Sequence, residues 1–184
     1  MSRRAIATVP RPAGRDLTAP ELERFAKELA ERPELWIDLV RHDSDQRHYE
    51  ELLGDPHVTA WLICWMEDHD TGFHDHDASA GAVAVVGGAV REERLVIDGP
   101  PVDRVYEAGG SFHFTPADIH RVRHVGDSPA VTLHVYSPPL LAMGAYAISP
   151  DGVLMRHTQG ADRELRPENT GPRAAESYTS VLRS

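Results

Sequence analysis

The run Gly72-Phe73-His74-Asp75-His76 sets two imidazoles at i and i+2. On an extended chain such residues point to the same side. From the inner wall of a barrel they can grip one metal ion through neutral ring nitrogens. The motif alone is equally compatible with two solvated loop histidines. A second stretch, from Gly109-Gly110 through Ser111-Phe112-His113-Phe114 and Pro116 to His120, reads as a glycine turn, a short strand, a proline-containing turn and a histidine opening the next strand. Seven of the 11 histidines fall between His69 and His134, so the chemistry is sought there. His134 and Tyr136 are also two apart in a strand-like run and share a face.

The elements that must position these residues follow from periodicity. Thr18, Pro20 and Glu21 form a helix start, with Leu22, Phe25 and Leu29 at helical spacing and Pro33 as the stop. A second short helix is expected at about 33–40, presenting Leu35, Trp36 and Leu39. From Thr59 the pattern becomes one of short runs rich in Val, Ile, Tyr and Phe, separated by Gly, Pro and Asp. These runs are 59–66, 82–86, 89–97, 102–106, 111–114, 120–125, 131–136, 145–148 and 153–157. Many short strands with frequent turn signals imply a mainly β sandwich or barrel. The expected organisation is a flexible lead-in over 1–16, helices packing on the barrel over 17–42, the barrel over 43–159 and a polar tail over 160–184.

Composition narrows the classes of function. Of 184 residues, 41% are apolar, enough for a core, and the formal net charge is −10. An acidic chain has no general attraction for nucleic acid or anionic lipid, so neither is an expected partner. Cys64 is the one cysteine, which precludes an intrachain disulfide and suits a reducing cytoplasm. The apolar run 78–90 is too short to span a bilayer, and no apolar segment follows the basic N-terminal residues. A monomer or small homo-oligomer is expected.

Together the His74/His76 and His120 stretches resemble the paired motifs of the cupin superfamily. The resemblance implies a jelly-roll β-barrel with short N-terminal helices, its three histidines converging inside. The carboxylate ligand usual in the first cupin motif is missing, because Ala80 and Gly81 stand where it would lie. That departure points to a narrower likeness. Cys64-Trp65-Met66-Glu67-Asp68-His69 leading into His74-Asp75-His76, then His120-Arg121-Val122, then Leu133-His134-Val135-Tyr136-Ser137-Pro138-Pro139, resembles cysteine dioxygenase and the related thiol dioxygenases over about 45–145.

The resemblance implies iron(II) held by His74, His76 and His120. Three neutral imidazoles leave the ion its double positive charge and an open face, where a thiolate can replace the missing anionic ligand. Zinc would bind such a set too, but it has no accessible redox change with which to activate dioxygen. The family likeness also implies that Tyr136 acts beside the metal, that His134 orients it and that Thr132 completes the relay. Some relatives link this tyrosine to a cysteine at the position of Gly81, a link this chain cannot form. Ser137-Pro138 matches a cis bond of the family. Asp75 or Asp77 could support the ligand imidazoles from behind.

Relatives that oxidise carboxylate thiols hold the substrate carboxylate with an arginine ahead of the first core strand. The best register places Glu50 there, with Arg47 three residues away. A carboxylate at that site would repel a substrate anion and attract a cation, with Tyr49 adding a cation–π contact and His69 lining the pocket mouth. The expected reaction is addition of both atoms of O2 to the sulfur of a small thiol, giving a sulfinic acid. The favoured thiol is cationic or a betaine such as ergothioneine. L-cysteine, 3-mercaptopropionate and cysteamine are the alternatives, with Arg47 as the clamp for a carboxylate. A non-catalytic metal- or ligand-binding sensor is the contrasting class, and loss of His134 or Tyr136 would have marked it.

Overall fold

Thr18 and Glu21 open the first helix, α1 (Ala19–Ala30), as the capping pattern predicts: the Glu21 carboxylate accepts the Thr18 backbone N–H at 2.8 Å. The computed structural model describes residues 9–10, 14–97, 99–149 and 153–167. Most of the predicted lead-in 1–16 and residues 168–184 of the predicted tail lie outside them. The second helix expected over 33–40 is instead two 3-10 turns, Pro33–Leu35 and Ile37–Leu39. Trp36 interrupts them: its backbone leaves helical geometry, and its buried indole N–H donates to the Leu29 carbonyl at 3.1 Å. Burying that ring outweighs one more turn of exposed helix.

Strands follow as β1 (His48–Gly54), β2 (Thr59–Trp65), β3 (His74–Asp75), β4 (Ala80–Gly87), β5 (Ala89–Arg94), β6 (Val102–Glu107), β7 (Ser111–Phe114), β8 (His120–Val125), β9 (Ala130–Ser137), β10 (Ala142–Ile148) and β11 (Leu154–Gly160). All pair antiparallel, in a five-stranded sheet ordered β1-β2-β9-β4-β7 and a six-stranded sheet ordered β11-β10-β3-β8-β5-β6. The fold is the cupin double-stranded β-helix. The long apolar runs fall where periodicity puts them. β3 escapes it, because two residues carry no period, and β1 is too rich in polar residues to read as core.

β9 shows why the five-stranded sheet is buried on both sides. Its sequence Ala-Val-Thr-Leu-His-Val-Tyr-Ser is buried throughout. Val131, Leu133 and Val135 face outward into a cluster with Leu22, Phe25 and Leu29 of α1. Ala130, Thr132, His134 and Tyr136 therefore face the barrel interior. There Tyr136 packs with Ile63, Trp65, Val83, Phe112 and Phe114. The helix lets the outer face be apolar, which frees the inner face for polar chemistry. Cys64 is a buried thiol in the outer cluster. Among the described residues, no helix is long and apolar enough to cross a membrane.

Candidate metal centre and substrate pocket

Strand register assembles the histidines. His74 on β3 lies opposite His120 on β8 as a cross-strand pair. His76 stands two residues beyond His74, on the same face. The ring centroids are 4.8 Å apart for His74 and His76, 4.7 Å for His74 and His120, and 5.1 Å for His76 and His120. One ligand nitrogen from each lies within 4.8 Å of the others, and no acidic side chain joins this set among the described residues. All three residues are buried. Burial, reinforced by the neighbouring imidazoles, pushes the His74 and His76 pKa values well below the ordinary range and keeps them in the neutral, ligating form.

Outer contacts set the tautomers. The His74 Nδ1–H donates to the Gly72 carbonyl at 3.1 Å, which leaves Nε2 for a ligand role. Gly72 has φ +67°, and a Cβ there would lie 3.1 Å from the Pro167 Cα, so the turn that aims this carbonyl is built for glycine. The His120 Nδ1–H donates to Glu92 Oε1 at 2.9 Å, and Arg94 donates to the same oxygen at 2.7 Å. Burial would raise the Glu92 pKa, but its bonds from His120 and Arg94 win and hold it low. His76 Nδ1 has no partner among the described residues. Three buried imidazoles, two of them oriented from behind, fit a divalent transition metal.

The supporting carboxylate expected at Asp75 or Asp77 is Glu92 instead. Asp75 sits between His74 and His76 and so points to the opposite face. There it binds Arg156 Nε and Nη2 at 2.7 and 2.8 Å and accepts the Tyr146 hydroxyl at 2.7 Å. Asp77 pairs with Arg156 at 3.5 Å. Glu92 looks like part of a solvated Arg-Glu-Glu-Arg run, yet in the alternation along β5 it stands two residues from buried Val90 and shares its face. That alternation is the signal that could have found it.

Thr132, His134 and Tyr136 lie in one chain of side-chain contacts. The Trp65 indole N–H donates to Thr132 Oγ1 at 2.8 Å. Thr132 Oγ1 is 2.9 Å from His134 Nε2, and His134 Nδ1 is 3.2 Å from the Tyr136 hydroxyl. Burial lowers the His134 pKa to about 3 and raises that of Tyr136. Ser137-Pro138 is cis, as expected. A Cβ on Gly81 would collide with Cζ and Cε2 of Phe114 and lie 3.1 Å from Tyr136 Cδ1. The Phe114 ring thus fills the space a cysteine would occupy, and it stacks on His76 at 4.2 Å.

A cavity of about 270 Å³ joins the three histidines to Arg47, Tyr49, Trp65, His134 and Tyr136. The substrate side of the cavity differs from what the sequence predicts. Glu50 is not in the cavity wall; it is half-exposed and pairs with His48 at 3.5 Å. Strand parity is the reason, because residues 47 and 49 share one face and residues 48 and 50 the other. The buried arginine occupies the interior face, so the case for a cationic thiol such as ergothioneine loses its premise. Tyr49 and Trp65 face a cation, but it is the Arg47 guanidinium, 5.8 and 5.0 Å from their ring centroids. His69 lies outside the cavity wall; its Nδ1 accepts the Met66 backbone N–H at 2.9 Å.

Arg47 is held on most of its edge. Nε donates to the Tyr49 hydroxyl at 2.7 Å and faces Glu164 Oε1 at 3.3 Å, while Nη2 donates to the Leu165 carbonyl. Nη1 is buried and has no partner among the described residues. Residues 161–165, expected in a polar tail, line the cavity, and Leu165 is buried against Met143 and Ala145. Two apolar residues, Ala161 and Leu165, flanking three charged ones gave no strand period from which to read this.

A model of the protein family described as cysteine dioxygenase type I matches residues 14–149. Among curated relatives, cysteine dioxygenase type 1 of Danio rerio is 25% identical over 139 residues, covering 67% of each chain. The same enzyme of Rattus norvegicus is 25% identical over 140 residues, covering 69% of this chain and 68% of the relative. Among solved structures, the TT1209 protein of Thermus thermophilus aligns with a TM-score of 0.50 at 18% identity, covering 55% of this chain and 92% of that one. That last likeness is one of fold.

Proposed function

The chain belongs to the cysteine dioxygenase type I family of iron-dependent dioxygenases, and from that premise we propose that it oxidises the sulfur of L-cysteine, or of a close carboxylate thiol, to a sulfinic acid. The reaction joins RSH and O2 to give RSO2H. The single observation that carries the choice of substrate is the buried Nη1 of Arg47 inside the cavity, which has no partner among the described residues. A guanidinium nitrogen left without an acceptor costs desolvation energy, and a substrate carboxylate recovers it as a charge-assisted hydrogen bond.

His74, His76 and His120 hold the metal in this reading. When bound, iron(II) supplies open positions for sulfur and dioxygen and the redox change that zinc lacks. The chain's own residues do the rest. Arg47 anchors the carboxylate and so fixes where the sulfur lies. Trp65, Ile63 and Phe114 keep the site dry. The Thr132 hydroxyl has a closer acceptor in His134 Nε2, at 2.9 Å, than in the Ile63 carbonyl, at 3.4 Å. Donation to Nε2 leaves the His134 proton on Nδ1, where it donates to the Tyr136 oxygen. The phenol hydrogen is then free to face the reacting atoms, and burial keeps it in place at neutral pH.

The test is anaerobic iron(II) loading, then oxygen uptake with L-cysteine, 3-mercaptopropionate, cysteamine and ergothioneine, with mass spectrometry for a gain of two oxygen atoms. Carboxylate thiols should turn over fastest. Arg47→Gln should raise their KM about tenfold or more, the scale of a lost charge-assisted bond, without lowering iron content. Turnover of cysteamine or ergothioneine ahead of cysteine would overturn the reading.

A further inference from the structure

We propose that Glu164, on the segment after β11, is a specificity-determining residue that tempers the charge of Arg47 and makes the pocket favour a zwitterionic amino thiol over a thiol bearing only a carboxylate. The inference rests on Arg47 as the substrate anchor. Glu164 lies beyond residue 149, where the family match ends, so nothing in that match assigns it a role. It lines the cavity, and its Oε1 accepts the Arg47 backbone N–H at 3.0 Å and sits 3.3 Å from Arg47 Nε. Its Oε2 accepts from Arg166 Nη2 and Nε at 2.7 and 2.9 Å. Arg166 in turn donates to the Asp45 carbonyl at 2.7 Å, which closes the segment over the residues leading into β1.

The arrangement is a row of alternating charges in which Arg47 and Glu164 line the cavity, while Arg166 stands outside it, 58% exposed and screened by solvent. Arg47 alone would attract any anionic thiol strongly, in a dry pocket where a unit charge acts with little screening. With Glu164 against its Nε edge, only Nη1 is offered, and a second negative charge stands a few ångströms behind it. A carboxylate-only thiol feels attraction and repulsion together. An α-amino acid brings an ammonium whose positive charge offsets the repulsion, so it loses less. Discrimination thus arises partly from an element that disfavours the wrong ligand. The Leu165 carbonyl on Nη2 keeps the guanidinium from swinging a second nitrogen toward the substrate.

The experiment compares parent, Glu164→Gln and Glu164→Asp as iron-loaded full-length proteins. Readouts are kcat and KM for L-cysteine, 3-mercaptopropionate and cysteamine, with iron content and anaerobic calorimetric binding of 3-mercaptopropionate. In Glu164→Gln the cysteine to 3-mercaptopropionate ratio of kcat/KM should fall roughly tenfold, mostly through KM. The Kd for 3-mercaptopropionate should fall in parallel, and cysteamine should bind more weakly. Glu164→Asp, which keeps the charge, should stay near the parent ratio. A ratio within twofold of the parent in Glu164→Gln, with Arg47→Gln still raising KM, would overturn this role and leave Arg47 as anchor. An unchanged KM in Arg47→Gln would remove the anchor and this inference with it. Loss of iron or of folded protein in Glu164→Gln but not Glu164→Asp, with no ratio change in either, would make Glu164 structural and overturn the proposal.

Discussion

Glu92→Gln should weaken metal binding at a centre that Glu92 never touches. The Glu92 side chain is 5% exposed and accepts from His120 Nδ1 at 2.9 Å and from Arg94 at 2.7 Å. Hydrogen bonds to a charged acceptor contribute about 1.5–3 kcal/mol, roughly twice a neutral pair. Both donors meet Oε1, so the amide oxygen of glutamine can accept from both while its NH2 takes the place of Oε2; the shape and the bonds stay and the negative charge goes. The His120 imidazole then keeps its orientation but loses the charge-assisted character of the bond behind it. A loss of about 1.4–2.8 kcal/mol corresponds to 10–100-fold in affinity, the range expected when a carboxylate behind a ligating imidazole is removed. Competition against a chelator of known affinity, under anaerobic iron(II) or with cobalt(II), measures it. Thermal unfolding of the metal-free proteins separates binding from stability. Affinity within twofold of the parent would mean that the His120–Glu92 contact does not serve a ligand, and His120 would lose its assigned place.

Two further outcomes follow from packing and charge. Gly81→Ala puts a methyl group into the Phe114 ring, which is buried and stacked on His76. Overpacking of this kind costs about 1–3 kcal/mol, so the urea midpoint should drop and metal affinity should weaken with it; a variant as stable as the parent would show that Phe114 yields freely. Glu23 ties α1 to β7, accepting from Ser111 at 2.5 Å and from His113 at 2.6 Å. Burial works against its charge, yet the bonds from Ser111, His113 and Lys27 prevail and lower its pKa from 4.5 to about 2. Its stabilisation is therefore present above the unfolded value of 4.5 and is lost as pH falls from there through about 2. Glu23→Gln should flatten that part of the stability–pH curve by about 1 kcal/mol, after discounting for solvent screening. Parallel curves for parent and variant in urea titrations across the window would exclude Glu23 as the source.

Much of the centre was legible in the chain itself. Strand alternation in His74-Asp75-His76 and in Thr132-Leu133-His134-Val135-Tyr136 dictates which side chains share a face, and that depends only on the period of two. The order and spacing of those motifs carried the family likeness and the three-histidine, carboxylate-free donor set. The same parity argument was available for residues 47–50. It separates Arg47 and Tyr49 from Glu50, but parity cannot say which face is inside. That choice came from pairing: β1 lies against β2, and the face carrying Arg47 and Tyr49 meets Trp65. Glu164 was out of reach for a related reason, and for Glu92 the two-residue spacing from Val90 marks a buried face without naming its partner. Each is an ordinary acidic residue among charged neighbours, and only long-range closure brings one to His120 and the other to Arg47, 117 residues away. Local sequence thus determined which residues stand together on an element. Tertiary structure decided which of those faces was buried and what charge came to rest behind each functional group, because burial and charge pairing are properties of contacts between distant segments.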